Sequence, residues 1–369
     1  MIKIVHIVLD MDLGGLQRIV NQLINKTDRQ IFRTYLCCLD RGGMFYEHLQ
    51  SDVTSKCILG RKPGPFDIGM LYKLIRIIKD NRIDIVHSNN GCTLYATVAG
   101  KLSGVRGIIH TDHGRLIPDK QSTILEDRYS SCFIDRFVGV SSQLTEYLAS
   151  VVKVNKKKLK TIVNGVDSAK FIPLSNEERI ARRMSLGFSP GTKIIGTVCR
   201  LDPIKNLRML IECIPGIVRI IPDCQVIIVG DGPDKNSLKD IACQLNINSK
   251  ITFLGAVEDV EKVMPILDLY VNTSLSEGTS MTILEAMSCG LPVVASAVGG
   301  NVSLIDDSNG VLFPSGEAGS FREHVIEILR DPILMKAMGR RSRELVESRF
   351  SFDRVVEHYE NLYRELMNN

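Results

Sequence analysis

The stretch LYVNTSLSEGTSMTILEAMSCGLPVVAS, residues 269–296, predicts a strand, a loop, a helix and a second strand in succession. The apolar run 269–271 is the first strand, CGLP ends the helix, and the run 293–296 is the second strand. Within this unit Glu277 and Glu285 stand eight residues apart. Eight helical residues correspond to a rotation of roughly 80° and a rise of about 12 Å. We therefore expect Glu277 in the loop at the helix start and Glu285 two turns further on, a spacing that suits a long polyhydroxyl ligand held at both ends.

Similar strand and helix signals alternate over the whole chain. Apolar runs predict buried strands, and stretches with apolar residues at helical spacing predict helices between them. This alternation is typical of a parallel, doubly wound α/β sheet. The predicted strands lie at 4–9, 34–39, 83–87, 107–111, 137–140, 193–199, 225–229, 251–254, 269–272, 293–296 and 311–313, and the helices of the first half at 20–25, 69–79, 93–102 and 143–151.

The alternation is interrupted at the Asn-Gly turn of residues 162–167 and at the polar stretch 173–183 that follows it. Such a break predicts a crossover between two domains. A length of 369 residues also favours two domains, of about 150–200 residues each. We therefore predict two Rossmann-like domains in series, at 1–166 and 167–350, and a C-terminal helix at 351–369.

The composition is that of a globular protein, with 24% charged and 44% hydrophobic residues. No run of about 18 uncharged apolar residues predicts a membrane span, and the first nine residues resemble a buried strand more than a signal peptide. We expect a cytoplasmic protein. The ten cysteines form no C-x-x-C pair, so buried, reduced thiols are expected rather than disulfides or a metal site.

The charge is distributed unevenly along the chain. Residues 1–164 carry 24 basic and 15 acidic side chains, a balance of +9, whereas the remainder carries 22 and 27, a balance of −5. A basic first half suggests an anionic partner, such as a membrane surface or a phosphorylated acceptor, rather than nucleic acid. Five of the lysines lie within residues 153–160, and a solvated loop explains that run equally well. Peripheral membrane association and simple solvation both remain open.

A second candidate motif is RLDPIKN, residues 200–206, which follows the strand predicted at 193–199. Its Arg200 and Lys205 place a guanidinium and an ammonium group in one loop, where both can converge on a diphosphate. Ligands of open α/β sheets bind beyond the carboxyl ends of the strands, which is where this loop falls. The alternative is a basic loop that is merely solvated.

Two loops of the first half carry further candidates. Gly14 and Gly15 join the first strand to the first helix, where glycines let backbone amides approach a phosphate at a helix start. His113 follows the strand at 107–111 and precedes a glycine, so it is a candidate for contact with substrate. His110, inside the apolar run, is expected to be structural.

The glutamate pair, in its strand-loop-helix setting, resembles the E-x7-E motif of family 4 glycosyltransferases, retaining enzymes of the GT-B fold. The resemblance covers nearly the whole chain and is strongest from Arg200 to Gly300. It implies two Rossmann-like lobes that face a central cleft, with the C-terminal helix returning to the first lobe. It also implies that Glu277 binds the donor sugar and Glu285 the ribose.

Further roles follow from the same resemblance. Arg200 and Lys205 match an R-x4-K element that neutralises the leaving nucleoside diphosphate, and His113 matches a histidine near the reacting carbon. The remaining matches are to residues that border the donor nucleotide, its diphosphate or its base: Gly14, Gly15, Gly230, Leu254, Gly278, Thr279 and Ser280. One position departs from the family pattern, because Ser303 stands where many relatives carry a glutamate after Gly299-Gly300.

The activity implied is transfer of a sugar, as a hexosyl group, from a UDP-, GDP- or ADP-sugar to a hydroxyl of a glycan, lipid-linked or phosphorylated acceptor, as in surface polysaccharide assembly. No other cofactor is expected. The chain has no H-E-x-x-H motif, in agreement with the metal-independent mechanism that the resemblance implies. The alternatives are a nucleotide-sugar epimerase on the same fold and a non-catalytic nucleotide-sugar-binding subunit of a synthase complex.

Overall fold

The computed structural model describes residues 1–12, 14–47, 49, 55–62, 64, 66–115 and 119–368. The chain divides into two compact units. The first, here called the N-domain, contains residues 1–164 and the C-terminal helix that begins at Phe352. The second, the C-domain, is Gly165–Ser351.

The N-domain is built on a seven-stranded sheet in the order β3-β2-β1-β4-β5-β6-β7. All its strand pairs are parallel. The strands are β1 Ile2–Val8, β2 Phe32–Cys38, β3 Ser55–Ile58, β4 Ile85–Asn89, β5 Gly107–Asp112, β6 Arg136–Gly139 and β7 Leu159–Thr161. The helices between them are α1 Gly15–Lys26, α2 Met44–Glu47, α3 Ile68–Asp80, α4 Thr93–Ser103, α5 Gln121–Ser131 and α6 Ser142–Tyr147.

The C-domain has a six-stranded parallel sheet in the order β10-β9-β8-β11-β12-β13. Its strands are β8 Lys193–Val198, β9 Cys224–Val229, β10 Ile251–Gly255, β11 Leu269–Asn272, β12 Val293–Ser296 and β13 Gly310–Phe313. Its helices are α7 Asn176–Ser185, α8 Leu207–Ile220, α9 Lys235–Gln244, α10 Val260–Val263, α11 Met281–Ser288, α12 Asn301–Leu304, α13 Ala318–Arg330 and α14 Pro332–Leu345. The helix that follows, α15 Phe352–Asn368, belongs to the N-domain. The prediction of two doubly wound parallel sheets is confirmed.

Burial explains which strands the sequence reveals. The central strands are covered by helices on both faces, so they appear as continuous apolar runs; β8, for example, is buried from Ile194 to Val198. The edge strands β3 and β7 are short, contain lysine and are largely accessible. They carry no continuous apolar run, which is why the sequence predicts neither of them.

The C-terminal helix α15 is part of the N-domain core. Tyr363 Oη lies 2.8 Å from His87 Nδ1, and Tyr359 Oη lies 3.1 Å from Thr111 Oγ1. The same Thr111 hydroxyl is 2.8 Å from His87 Nε2. All four side chains are buried, so a continuous hydrogen-bonded chain joins α15 to strands β4 and β5.

Candidate active site

The candidate residues of the C-domain lie in loops at one edge of its sheet. Because all the strands are parallel, their carboxyl ends meet at the same edge, where α/β proteins bind ligands. The loops after β8 and β11 are joined there by backbone and side-chain contacts. Leu275 N donates to Ile204 O at 2.7 Å, and Thr273 Oγ1 donates to Lys205 O at 2.9 Å.

An ion pair between Lys205 and Glu277 forms the centre of this arrangement. Lys205 Nζ lies 2.8 Å from Glu277 Oε1, and the two side chains are only 21% and 10% exposed. Two further donors reach the same oxygen, Ser274 Oγ at 2.7 Å and Asn272 Nδ2 at 3.1 Å. Lys205, Ser274 and Asn272 therefore all donate to one carboxylate oxygen of Glu277 and fix its orientation.

Sequence reasoning missed a buried amide pair that orients Glu277. Asn301 Nδ2 lies 3.3 Å from Asn272 Oδ1 and also donates to Ser296 O at 3.1 Å. Asn272 is thereby turned with its Nδ2 group toward Glu277. Asn301 is fully buried, and its Oδ1 has no hydrogen-bond partner. The only signal in the sequence was an asparagine directly after Gly299-Gly300, and its burial became apparent only in the structure.

Two glycines allow the loop after β12 to pack against the glutamate loop. A Cβ on Gly299 would lie 1.7 Å from Glu277 O, and a Cβ on Gly300 would lie 2.1 Å from Gly278 O. Gly300 N donates to Gly278 O at 2.6 Å. Ser303 donates its hydroxyl to Gly300 O at 2.8 Å, so the residue that departs from the family pattern stabilises the start of α12.

Glu277 lies in the loop before the helix, as the sequence predicts, but the predicted separation of two helical turns from Glu285 is wrong. Helix α11 begins at Met281, and the side chain of Ser280 caps it by accepting from Ile283 N. Glu277 lies four residues before the helix, so the rotation and rise of an eight-residue helix do not apply. Glu285 lies just over one turn into the helix and is 2% exposed. Thr279 and Ser280 are buried at the helix start.

Arg200 is placed differently from Lys205, although both follow β8. Its side chain is 74% exposed, and its ion pair with Asp202 spans 3.7 Å. An exposed pair of that length stabilises little. The guanidinium is therefore accessible to an anionic ligand at the strand edge, whereas the ammonium of Lys205 is held in place by Glu277.

Gly230 and Leu254 lie at the ends of β9 and β10, beside the Arg200 loop. Gly230 has φ +135°, and a Cβ there would lie 1.8 Å from Cys199 O, so this position requires glycine. Its amide donates to Gly255 O at 2.7 Å. Leu254 is half-buried next to that carbonyl. These contacts join the ends of β8, β9 and β10.

In the N-domain, Gly14 and Gly15 lie where the sequence predicts, at the start of α1. Gly14 precedes the first helical residue in an extended conformation. Asp10 Oδ1 accepts from Gln17 Nε2 at 3.0 Å and from Asp12 N at 3.1 Å, which fixes the loop between β1 and α1. The first backbone amides of α1 are oriented to meet an anion.

His113 is held by Asn89, the last residue of β4, and by Asn90, whose Oδ1 accepts from His113 N at 2.7 Å. Asn89 Nδ2 donates to Ile7 O at 3.1 Å, so Asn89 Oδ1 faces His113 Nε2 at 2.9 Å. Nε2 must then carry the proton, which makes the partnerless Nδ1 a hydrogen-bond acceptor. Burial, with a smaller contribution from the nearby His110, lowers the pKa of His113 to about 3. The imidazole is therefore neutral at physiological pH.

Comparison with known proteins agrees with this geometry. The profile of the family described as glycosyl transferases group 1 matches residues 178–345, and that of glycosyltransferase family 4 matches residues 13–170. The protein belongs to the family 4 glycosyltransferases. The two matches fall on the C-domain and on the N-domain respectively, which confirms the predicted family.

Relatives of this glycosyltransferase act on several substrates, according to their names. The chain is 28% identical over 382 residues to the UDP-Gal:α-D-GlcNAc-diphosphoundecaprenol α-1,3-galactosyltransferase of Escherichia coli, covering 100% of this chain and 98% of that one. It is 29% identical, over 79% of each chain, to a GDP-mannose-dependent mannosyltransferase of monoacylated phosphatidylinositol monomannoside from Corynebacterium glutamicum. The crystal structure of Anabaena HepE with UDP-glucose superimposes with a TM-score of 0.86 at 20% identity, covering 99% of this chain and 100% of that one, which confirms the GT-B fold.

Among the residues that the structure describes, no group of three or more histidine, cysteine, aspartate or glutamate side chains could hold a metal ion. Within the same ranges, no helix combines the length and apolarity needed to cross a bilayer.

Proposed function

We propose that this glycosyltransferase moves a hexose from a nucleoside diphosphate sugar to an acceptor hydroxyl with retention of anomeric configuration and without a metal ion. The observation that carries the proposal is the Lys205–Glu277 pair at the carboxyl ends of β8 and β11. It combines a cation for the leaving diphosphate with a carboxylate for the sugar.

Lys205 and Arg200 supply the positive charge that the leaving group needs. As the bond to the sugar breaks, negative charge develops on the diphosphate, and fixed cations stabilise it more than they stabilise the ground state. The exposed guanidinium of Arg200 can donate hydrogen bonds to the phosphate oxygens. In the front-face displacement that we infer, the leaving phosphate accepts the proton of the acceptor hydroxyl, so no side-chain nucleophile is required.

Glu277 is proposed to bind the donor sugar through its second oxygen. Lys205, Ser274 and Asn272 all reach Oε1, so Oε2 is the oxygen directed to a ligand hydroxyl. Gly278, Thr279 and Ser280 lead into the N-terminus of α11, whose positive end favours a phosphate. Glu285, further along α11, is proposed to bind the ribose, with Gly230 and Leu254 bordering the nucleotide.

His113 is proposed to accept a hydrogen bond from a hydroxyl of the donor sugar. Its Nδ1 is the buried acceptor without a partner, and the Asn89 contact fixes the tautomer that leaves this nitrogen unprotonated. A neutral imidazole in a fixed orientation suits substrate positioning rather than charge stabilisation. Gly14 and Gly15 would add the amides of α1 for the diphosphate.

A UDP- or GDP-sugar donor is supported by the relatives and solved structures. Solved complexes of HepE contain UDP or UDP-glucose, the Escherichia coli relative is named for UDP-galactose, and the Corynebacterium relative for GDP-mannose. Those two relatives also have acceptors attached to a lipid. We infer a lipid-linked or phosphorylated glycan acceptor in surface polysaccharide assembly, used on the cytoplasmic side of a membrane.

Exposed apolar side chains of the N-domain support the proposed membrane association. They are Leu102 on α4, Tyr129 on α5 and Phe133 just after α5, at 60%, 69% and 57% exposure, and we refer to them as the apolar surface on α4 and α5. The two helices contact each other through Leu94 N and Glu126 Oε1 at 3.2 Å. Lys158 donates its ammonium group to Cys132 O, directly before Phe133. Apolar side chains edged by a cation are suited to an anionic lipid surface.

The experiment that tests the activity is incubation with UDP-, GDP- and ADP-sugars in the absence of acceptor. Slow release of the nucleoside diphosphate is the expected result, because water can take the place of the acceptor hydroxyl. Conversion of the sugar to an isomer would support the epimerase alternative. Tight donor binding with neither reaction would support the non-catalytic subunit. Analysis of the anomeric configuration of a trapped product then tests retention.

A further inference from the structure

Two cysteines on neighbouring strands of the N-domain face each other directly. Cys37 in β2 is the register partner of Cys57 in β3, and their Sγ atoms lie 3.0 Å apart. Both are free thiols. Cys37 belongs to the buried core on one face of the sheet, and Cys57 packs against that same core.

The backbone already holds the two residues at a separation that a disulfide can span. Paired strands lie about 4.8 Å apart, and disulfides link residues whose Cα atoms are roughly 4.4–6.8 Å apart. The pairing continues beyond the cysteines, since Leu59 N donates to Cys38 O at 2.9 Å and Arg61 N to Leu39 O at 2.8 Å. A bond between the sulfurs therefore requires rotation of side chains and only a small approach of the strands.

The two thiols are also unequal in a way that favours exchange chemistry. Cys57 lies on the edge strand β3 and is half-buried, so a small disulfide can reach it. The hydrogen bond with Cys37 lowers the pKa of Cys57 and, together with burial, raises the pKa of Cys37. A thiolate is the attacking species in disulfide exchange, so the accessible sulfur is also the reactive one.

We propose that Cys37 and Cys57 form a reversible disulfide by exchange with a low-molecular-weight disulfide. The Cys57 thiolate attacks one sulfur of the small disulfide and expels the other as a thiolate. Cys37 then gives up its proton, its sulfur attacks Cys57 Sγ, and the second small thiolate leaves. Overall two protein thiols are oxidised, one small disulfide is reduced to two thiols, and the protein's two protons pass to them.

The two exposed thiols, Cys132 and Cys243, provide an internal comparison. Cys132 lies directly after α5 in the N-domain, and Cys243 lies on α9 in the C-domain. They can react with a small disulfide but are expected to stop at the mixed adduct. All ten cysteines are free thiols, as the sequence predicts, but Cys132 and Cys243 are exposed rather than buried.

The test is incubation of the full chain, carrying Cys132→Ser and Cys243→Ser, with glutathione disulfide, followed by intact mass and peptide mapping. The expected product has lost two hydrogen atoms, contains a cross-linked pair of peptides with Cys37 and Cys57, and returns to the starting mass with dithiothreitol. Cys37→Ser should stop at a glutathione adduct on Cys57, and Cys57→Ser should leave Cys37 unmodified.

Two results would overturn the proposal. One is a stable glutathione adduct on Cys57 while Cys37 is present. The other is no reaction at either residue under conditions that modify Cys132 in the unsubstituted chain. Because the first measurement needs neither Cys37→Ser nor Cys57→Ser, poor folding of those variants would not affect the conclusion. Circular dichroism of each variant checks its folding.

Discussion

Both domains are built on a parallel doubly wound sheet, but the N-domain buries histidines within its sheet, whereas the C-domain carries its candidate ion pair beyond the strand ends. His6, His87 and His110 lie within the central strands of the N-domain, and burial lowers the pKa of each of them. In the C-domain, Lys205 is paired to Glu277 in the loops that follow the strands. The N-domain also buries an ion pair, between Arg115 and Asp127, so the difference concerns the histidines and not every polar group.

The largest effect is expected from removing a cation of the C-domain loop. Lys205→Ala and Arg200→Ala should each reduce kcat by on the order of a hundred- to a thousand-fold, because one charge-stabilising donor lowers the barrier by about 3–4 kcal/mol. The measurement is steady-state turnover with whichever of the UDP-, GDP- or ADP-sugars the donor panel identifies. Lys262→Ala is the matched control, since Lys262 forms an exposed pair with Asp259 elsewhere in the C-domain. Near-normal turnover in both folded variants would refute the leaving-group role.

Acid should destabilise the N-domain through its buried histidines. Burial lowers the pKa of His6 to about 3, below the value of about 6.5 in an unfolded chain. Between these values the unfolded state binds a proton that the folded state does not, so the free energy of unfolding falls as pH falls from 6.5 toward 3. His6→Leu should reduce the loss between pH 7.5 and pH 5 by about 2 kcal/mol.

Urea unfolding followed by circular dichroism at the two pH values measures that difference. Leucine is a suitable replacement because both ring nitrogens of His6 are buried without partners. His324→Leu, at a partly exposed site in α13 of the C-domain, is the control and should leave the pH dependence unchanged. If His6→Leu and the unsubstituted protein lose the same free energy of unfolding at pH 5, the buried His6 is not the cause of the acid sensitivity.

The two glutamates should bind different parts of the donor. Glu285→Gln is expected to weaken binding of the bare nucleoside diphosphate by roughly 1–3 kcal/mol, the contribution of a charged hydrogen bond. Glu277→Gln should spare the diphosphate and weaken binding or turnover of the complete nucleotide sugar. Calorimetry with both ligands separates the cases. Equal losses for both ligands in both variants would contradict the division.

The smallest effect is expected at the apolar surface on α4 and α5. Tyr129→Ser should reduce binding to vesicles of anionic lipid at low salt a few-fold, and high salt should release the protein because charge is screened over roughly 8 Å at physiological ionic strength. Tyr72→Ser is a matched control, since Tyr72 is 66% exposed on α3, outside that surface. Flotation with neutral and anionic vesicles is the measurement. Absence of binding to anionic vesicles would indicate a soluble acceptor and a lysine run that is merely solvated.

Much of the candidate site could be predicted because its residues follow apolar strands in short loops. Arg200 and Lys205 follow β8, Glu277 follows β11, and parallel strands bring such loops to one edge. The contact between Lys205 and Glu277 joins residues 72 positions apart, and no local pattern specifies it. The role of Asn301 could not be predicted from the sequence either, because it depends on burial of this residue beside Asn272.

By itself the sequence determined the fold class, the crossover between domains and the family, because these depend on hydrophobic periodicity and on motifs a few residues long. Tertiary structure alone decided which groups touch. It placed the start of α11 at Met281, four residues after Glu277, and paired Cys37 with Cys57 across two strands. It also made His113 a neutral hydrogen-bond acceptor through its contact with Asn89. Those outcomes depend on strand register, burial and the orientation of side chains distant in sequence, and these are settled only when the sheets and helices pack.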